Sequence, residues 1–209
     1  MKKTPIPRWL QWAREIQALA QSGESFSMNL WQSQRYHRLM EIAAEIVNEH
    51  TGHPIEPIPE SFKTQIGYAT PKVDVRGAVF HDGKLLMVRE RLDNGWTMPG
   101  GWADVGDSPA AAAEREVWEE SGFRVQARKV IGVYDANRVE PLTLYHAVKL
   151  VFLCQLLSGE ATPSDETSEV AFFAENKIPA SLSGERTRPR HIRDAFASMA
   201  DSTLFTVFE

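Results

Sequence analysis

The chain has 209 residues, 43% of them hydrophobic and 24% charged, a composition that can bury a real core. Its formal net charge of -5 argues against a nucleic-acid binder, which usually carries a basic face, and no stretch reaches the apolar length of a membrane span. The single cysteine, Cys154, sits in the apolar run LVFLCQL and reads as a buried small hydrophobe in a reducing compartment; the N-terminus lacks the apolar core of a signal peptide, so the expected location is cytoplasmic.

Residues 7–50 predict two helices. Trp9, Trp12, Ala13, Ile16, Leu19 and Ala20 recur at helical spacing in the first, which is expected to end at Gln21-Ser22-Gly23. Tyr36, Leu39, Met40, Ala43, Ile46 and Val47 repeat the pattern in the second. Two helices cannot bury two wide apolar stripes between themselves, so the stripes pack on the rest of the chain or on a second subunit. His50 and His53 form an H-x-x-H with too few further ligands for zinc. Residues 51–71, broken by prolines and glycines, read as a linker. The expected division is a helical extension with linker over 1–65 and a second domain over 66–209.

After the linker, VDVRGAVF alternates with period two, Asp82-Gly83 makes a tight turn, and KLLMVRER follows. That is a β-hairpin signature. A glycine-rich loop, LDNGWTMPGGWADVGD, leads to a helix over Pro109–Ser121. Ser108 is its expected N-cap, Pro109 suits the first turn, and Gly122 is the left-handed terminator. FRVQARKVIGVYDA, YHAVKLVFLCQLL and EVAFFAE predict strands, and Pro189–Met199 a last helix. RTRPRHIR, Arg186–Arg193, is a basic cluster that could contact phosphates, although such runs are more often solvated. This order predicts an α/β sandwich with a mixed sheet rather than a doubly wound parallel fold.

REVWEESGF, Arg115–Phe123, concentrates charge. On a helical wheel Glu116, Glu119 and Glu120 fall within an arc of roughly 100°, beside the apolar cluster of Ala110, Ala113 and Val117. Three like charges on one arc repel unless a cation sits among them. The Arg115 guanidinium can fork to one carboxylate and cannot neutralise three. Hard divalent cations prefer oxygen ligands, and the glycines of MPGGWADVGD let backbone carbonyls approach an ion closely. The competing reading of these residues alone is a solvated, charged helix face.

The spacing to the loop distinguishes the two. Gly101 is followed by five residues, Asp107, seven residues, and then Arg115-Glu116-Val117-Trp118-Glu119-Glu120-Ser121-Gly122-Phe123. This resembles the Nudix box, with a departure at Asp107, where the family has glutamate. The resemblance implies a Nudix-type α/β/α sandwich with a mixed sheet behind a small helical N-terminal domain. It implies hydrolysis of a nucleoside diphosphate linked to another moiety, with Mg²⁺ or Mn²⁺ as cofactor. It implies Glu116, Glu119 and Glu120 as metal ligands together with the Gly100 carbonyl, and Arg115 as the residue that orients a ligand glutamate. Asp107 is then a supporting contact or a helix cap. The general base is expected outside the box, where PSDETSEVAFF offers Glu166 first and Glu169 second. Arg76, Trp96 and Trp102 are candidate substrate contacts.

Nearly the whole chain is similar to a bacterial Nudix group with a helical N-terminal extension. Its members are labelled ADP-ribose pyrophosphatases, and some are CDP-choline pyrophosphatases. The extension of that group resembles a dimerisation element. The expected partners are therefore a small-molecule nucleotide, CDP-choline first and ADP-ribose next, and a second copy of the chain through the N-terminal helices. Aromatic side chains would serve a choline head or a nucleobase alike, so they do not separate the two. Trp9 and Trp12 read as core. Two alternatives stay open. An RNA 5′-end pyrophosphohydrolase predicts a broad basic groove, and a non-catalytic nucleotide-sugar-binding regulator predicts broken ligand positions.

Overall fold

The structure, a computed structural model, describes residues 7–51, 69–104, 106–136, 146–184 and 186–209. The chain divides into two units, residues 1–71 with 144–146 and residues 72–143 with 147–209. The boundary expected near residue 65, most of the linker, and His53 lie outside the described residues.

In the first unit, α1 (Arg8–Ser25) pairs with α2 (Leu30–Thr51). Their shared core is Ala13, Ala20, Met40, Ala44 and Val47, flanked by Trp9, Tyr36 and Ile46. Alanines at the contact let the helices approach closely. Helix α1 does not stop at Gly23. A Cβ there would lie 2.3 Å from the Tyr36 ring, so this glycine makes room for α2, and the packing gain outweighs its low helix propensity. Trp12 is not core. It is 51% exposed, with the Arg8 guanidinium 5.1 Å from its ring centre. Leu19, Trp31 and Leu39 are exposed as well. His50 stacks on Trp9 at 4.5 Å, with Nδ1 2.8 Å from the Ile46 carbonyl.

The second unit begins with β1 (Lys72–His81) and β2 (Lys84–Glu90). Asp82 (φ 49°) and Gly83 (φ 72°) both take left-handed conformations between them, the requirement of a type I′ hairpin turn. Then follow β3 (Trp96–Thr97), α3 (Pro109–Ser121), β4 (Phe123–Asp135), β5 (Ala147–Gly159), β6 (Thr167–Phe173), α4 (Pro189–Ala200) and β7 (Val207–Phe208). The sheet runs β3-β2-β1-β5-β4-β7, with β6 also paired to β2. β1–β5 and β4–β7 are parallel and the other pairs antiparallel, the mixed sheet that the element order predicts. β3 and β7 lie outside the predicted strands, since two residues carry no periodic signal. Helix α3 starts and stops as its end residues require. Ser108 accepts a hydrogen bond from the Ala111 amide, and Gly122 adopts φ 78°.

Side-chain alternation splits the strands between two cores. Val75, Val79, Leu86, Phe152 and Cys154 face Ala112, Ala113 and Val117 of α3. Ala78, Leu85, Met87 and Val151 face Ile192, Ala195 and Phe196 of α4. A Cβ on Gly77 would meet Val117 at 2.3 Å, so α3 rests directly on β1. Period two then places Asp74 and Arg76 on the same face as Ala78, and Lys149 with Val151. The α4 side of the sheet thus changes from apolar to charged toward one end.

His191 marks the edge of that charged end. It is buried 4.5 Å from the Tyr134 ring, and Nδ1 accepts from the Arg188 amide at 3.3 Å. Burial first, then Lys149, Arg190 and Arg188, push its pKa down to about 3, against a smaller opposing pull from Asp74. This value lies below that of an unfolded histidine, about 6.5. The unfolded chain therefore binds the extra proton first, and the neutral ring's contribution is present above pH 6.5 and lost as pH falls toward 3. Urea titrations should show stability falling over that window, with His191 contributing a slope of up to about 1.4 kcal/mol per pH unit. His191→Asn should flatten it.

Candidate active site

The strand alternation builds the floor of the site. Asp74 on β1 stands opposite Lys149 on β5 in the parallel register. Its Oδ1 accepts from Lys149 Nζ at 2.8 Å and from Arg76 Nε at 3.0 Å, and its Oδ2 accepts from Arg76 Nη2 at 3.0 Å. Arg76 Nη1 also donates to the Met98 carbonyl at 3.4 Å. Arg76 and Lys149 are each 2% exposed. Burying two cations around one carboxylate is tolerable because each is hydrogen-bonded to it. Burial nonetheless depresses the Lys149 pKa to about 8, the attraction of Asp74 offsetting part of that fall.

The glycine loop builds one wall. Val75 donates to the Gly101 carbonyl at 2.8 Å, Gly77 to Pro99 at 2.9 Å, and Ala103 to Val73 at 2.9 Å. Residues 99–103 therefore run against β1 as an extended segment. Alternation turns the amide and carbonyl of Gly100 away from β1. That amide donates to Glu120 Oε2 at 2.9 Å. Gly100 has φ 147°, and a Cβ would lie 2.0 Å from the Val75 carbonyl, so no other residue fits. At Gly101 a Cβ would lie 2.6 Å from Glu116 Oε2. The missing side chain is the space into which the Glu116 carboxylate reaches.

Helix α3 supplies the acidic side. Glu120 is buried, and its own carbonyl accepts from Thr167 Oγ1 at 2.8 Å. Burial pushes its pKa up to about 7, against the pull of Arg76 and the Gly100 amide, while Glu90 and Glu116 push it further up. Glu116 is raised too, by burial first, with Arg115 pulling it down and Glu119 raising it. The cations nearby compensate these carboxylates only in part. Arg115 is shared among four acids. It lies 3.0 Å from Asp104, 3.3 Å from Asp107, 2.9 Å from Glu116 and 3.0 Å from Glu119. Asp107 thus reaches Arg115 with its shorter side chain, and the helix cap falls to Ser108.

A cleft of about 410 Å³ is lined by Asp74, Arg76, Gly100, Gly101, Trp102, Asp104, Glu116, Glu120, Ala136, Ala147, Lys149, Glu166 and Arg186. Of the candidates named from sequence, Arg76, Gly100, Trp102, Glu116, Glu120 and Glu166 meet there. Glu119 is turned to Arg115. Glu169 pairs with Arg89 at 2.6 Å across the β2–β6 ladder and is not on the lining. Trp96 is 8% exposed in the α4-side core, edge-on to Phe173 at 4.8 Å; its place is packing rather than the cleft. Trp102 is 49% exposed on the rim. Asp74, Lys149 and Arg186 were not singled out as site residues. A signal existed for the first two: Lys149 is a lone charge on an otherwise apolar strand face, and Asp74 alternates with Arg76 as an opposite charge on one face of β1. Their partnership is set by register between strands far apart in sequence.

Glu116, Glu120 and Gly100 line the cleft, and carboxylate and carbonyl oxygens are hard donors of the kind Mg²⁺ or Mn²⁺ takes. The partly compensated burial of the two carboxylates fits a divalent cation. Among the described residues no three acidic, histidine or cysteine side chains already gather as a metal cluster; the Arg115 guanidinium draws Glu116 and Glu119 to itself. Gly101→Ala should displace the Glu116 carboxylate and weaken binding of a divalent cation by about 10- to 100-fold, the range for disturbing the support of a metal ligand. The check is a calorimetric titration with Mg²⁺ and with Mn²⁺.

Residues 71–195 match the model of the NUDIX domain, and residues 7–62 that of the UDP-X-like, N-terminal oligomerisation domain. The chain is 35% identical over 203 residues, 97% of either chain, to a Bacillus subtilis (strain 168) protein named "Putative ADP-ribose pyrophosphatase YjhB". It is similar to the crystal structure of a UDP-X diphosphatase, with a TM-score of 0.62, 29% identity and 100% of both chains covered. It is also similar to that of an ADP-ribose pyrophosphatase from Streptococcus suis 89-1591, with a TM-score of 0.62 and 33% identity over 67% of this chain and 100% of that one. The chain belongs to the Nudix family of hydrolases.

Proposed function

We propose that the chain hydrolyses the pyrophosphate bond of a nucleoside diphosphate linked to a sugar-like moiety, using Mg²⁺ or Mn²⁺. The observation that carries this reading is the meeting of Glu116, Glu120 and the Gly100–Gly101 segment on one cleft that also receives Glu166. Glu116, Glu120 and the Gly100 carbonyl would hold the ion, with Glu119 the further carboxylate of the same arc. A cation bound there would neutralise the pyrophosphate and lower the pKa of an attacking water. Arg115 holds Glu116 where it reaches the loop. Glu166 takes the proton from the water as general base. Its segment is tied down, with the Glu166 carbonyl accepting from the Arg91 amide at 2.9 Å and its amide donating to Ser164 Oγ at 3.2 Å. Trp102 offers a flat face for the nucleobase at the rim.

ADP-ribose is favoured over CDP-choline, reversing the order suggested by the sequence resemblance. A choline head is held by several aromatic faces, and among the described residues Trp102 is the aromatic side chain on the lining. The relative matched over 97% of the chain bears an ADP-ribose pyrophosphatase name. The assembly is a homodimer formed through α1 and α2, whose exposed Trp12, Leu19, Trp31 and Leu39 are the surface a second copy covers. Light scattering of the full chain tests this. For the substrate, ADP-ribose, CDP-choline, UDP-sugars and 5′-triphosphate RNA are compared by kcat/KM with Mg²⁺. ADP-ribose should lead. A CDP-choline lead reverses the substrate assignment, and RNA outperforming all small molecules removes the reading.

A further inference from the structure

The cleft carries three cationic side chains, Arg76, Lys149 and Arg186. The first two are spent on Asp74 and almost fully buried. Arg186 differs. Its side chain is 28% exposed, and it sits on a turn pinned at both ends. Before it, the Ser183 amide donates to the Trp96 carbonyl at 2.9 Å and Ser183 Oγ donates to Asp93 Oδ2 at 2.9 Å. After it, Thr187 Oγ1 accepts from the Met98 amide at 3.0 Å. Within the turn, the amides of Arg186 and Thr187 donate to the Ser183 carbonyl at 3.0 and 2.9 Å. Gly95 admits this turn, since a Cβ there would lie 2.5 Å from the Ser183 nitrogen.

The guanidinium is aimed from below as well. Glu90, at the end of β2 and buried, places Oε1 3.1 Å from Arg186 Nε. That contact is a charge pair without an aligned hydrogen bond, since Glu90 Oε1 has no hydrogen-bond partner. Nη1 lies 3.5 Å from Ser183 Oγ. A carboxylate is costly to bury, and here it is placed behind a partly exposed arginine that opens on a cleft rimmed by acids. A cation held this way, between hydrogen-bonded neighbours on either side and with a planar fork of donors, is preorganised for a phosphate.

We propose that Arg186 is a substrate-binding residue that grips a phosphate oxygen of the pyrophosphate not held by the metal site, and that Glu90 is its positioning residue. This deepens the proposed function and rests on it. It also gives the basic cluster RTRPRHIR one member with a task in the cleft.

The test uses the full chain with Mg²⁺. The α,β-methylene analogues of ADP, CDP and UDP, whose bridge is not hydrolysed, are titrated by calorimetry, and the tightest is carried through the variants. Arg186→Ala should weaken it at least 10-fold, Arg186→Lys less, and Glu90→Gln by a few-fold. In turnover, Arg186→Ala and Glu90→Gln should raise KM more than they lower kcat. An Arg186→Ala protein that melts cooperatively and binds the analogue within 2-fold of wild type overturns the proposal, leaving the Glu90 pair a purely structural latch. If wild type binds an analogue but cleaves no nucleoside diphosphate derivative, the hydrolase reading fails while the Arg186 comparison still decides the grip. If wild type binds none of the three, both fall.

Discussion

Glu120→Gln is expected to reduce Mg²⁺-dependent hydrolysis by about 10³-fold or more while the fold survives. In the proposed mechanism the loss follows from removing a charged metal ligand, whose electrostatic stabilisation of the transition state is worth several kcal/mol, each 1.36 kcal/mol being tenfold in rate. The fold survives because glutamine keeps the contact that shapes the loop. Its side-chain oxygen can accept from the Gly100 amide as Glu120 Oε2 does at 2.9 Å, and the Thr167 hydroxyl bonds to the backbone carbonyl, not the side chain. The substitution also removes a buried carboxylate that sits uneasily beside Glu116 and Glu90. Metal-free Glu120→Gln should therefore melt no lower than metal-free wild type. Near-normal turnover in this variant would remove Glu120 from the ligand set, and a collapsed melting temperature would make its role structural.

Asp74→Ala is expected to cost about 3–5 kcal/mol of stability, the range for breaking a buried ion pair by removing one partner. Arg76 and Lys149 would be left facing each other with their shared carboxylate gone, both nearly inaccessible to water. Against a total of about 5–15 kcal/mol for a typical domain, that cost is a large share of the second unit's stability. Urea unfolding followed by tryptophan fluorescence measures this. Adding Lys149→Met should recover part of the loss, because it removes one of the stranded cations, and the double mutant should be more stable than the sum of the singles. A cost under 1 kcal/mol for Asp74→Ala would mean that water reaches this end of the sheet and that the floor of the cleft is not dry.

What the sequence revealed here was governed by local chemistry. Ser108, Pro109 and Gly122 bracket α3 because capping and left-handed termination depend on the residues themselves. Asp82-Gly83 sets its hairpin turn for the same reason. The arc of glutamates and its spacing to the glycine loop were visible in one segment, and the structure brings Glu116 and Glu120 to that loop. What escaped depends on distant pairing. Asp74 meets Lys149 only through the β1–β5 register, and Arg186 reaches the cleft only because its turn is stitched to β3. Trp96 and Trp102 lie close in sequence, yet one is buried against Phe173 and the other lines the rim. Gly23 fails as a helix stop because Tyr36 occupies the space where a side chain would be. In each case a tertiary neighbour overrode a local preference.

The proposed metal-dependent cleavage of a pyrophosphate bond at the cleft between the glycine loop and α3 is tested most directly by hydrolysis of ADP-ribose by the full chain after removal of metal with a chelator, then with Mg²⁺ restored, with products identified. AMP and ribose 5-phosphate should form only when Mg²⁺ is present. Equal rates with and without the ion, or cleavage at any bond other than the pyrophosphate, would contradict it.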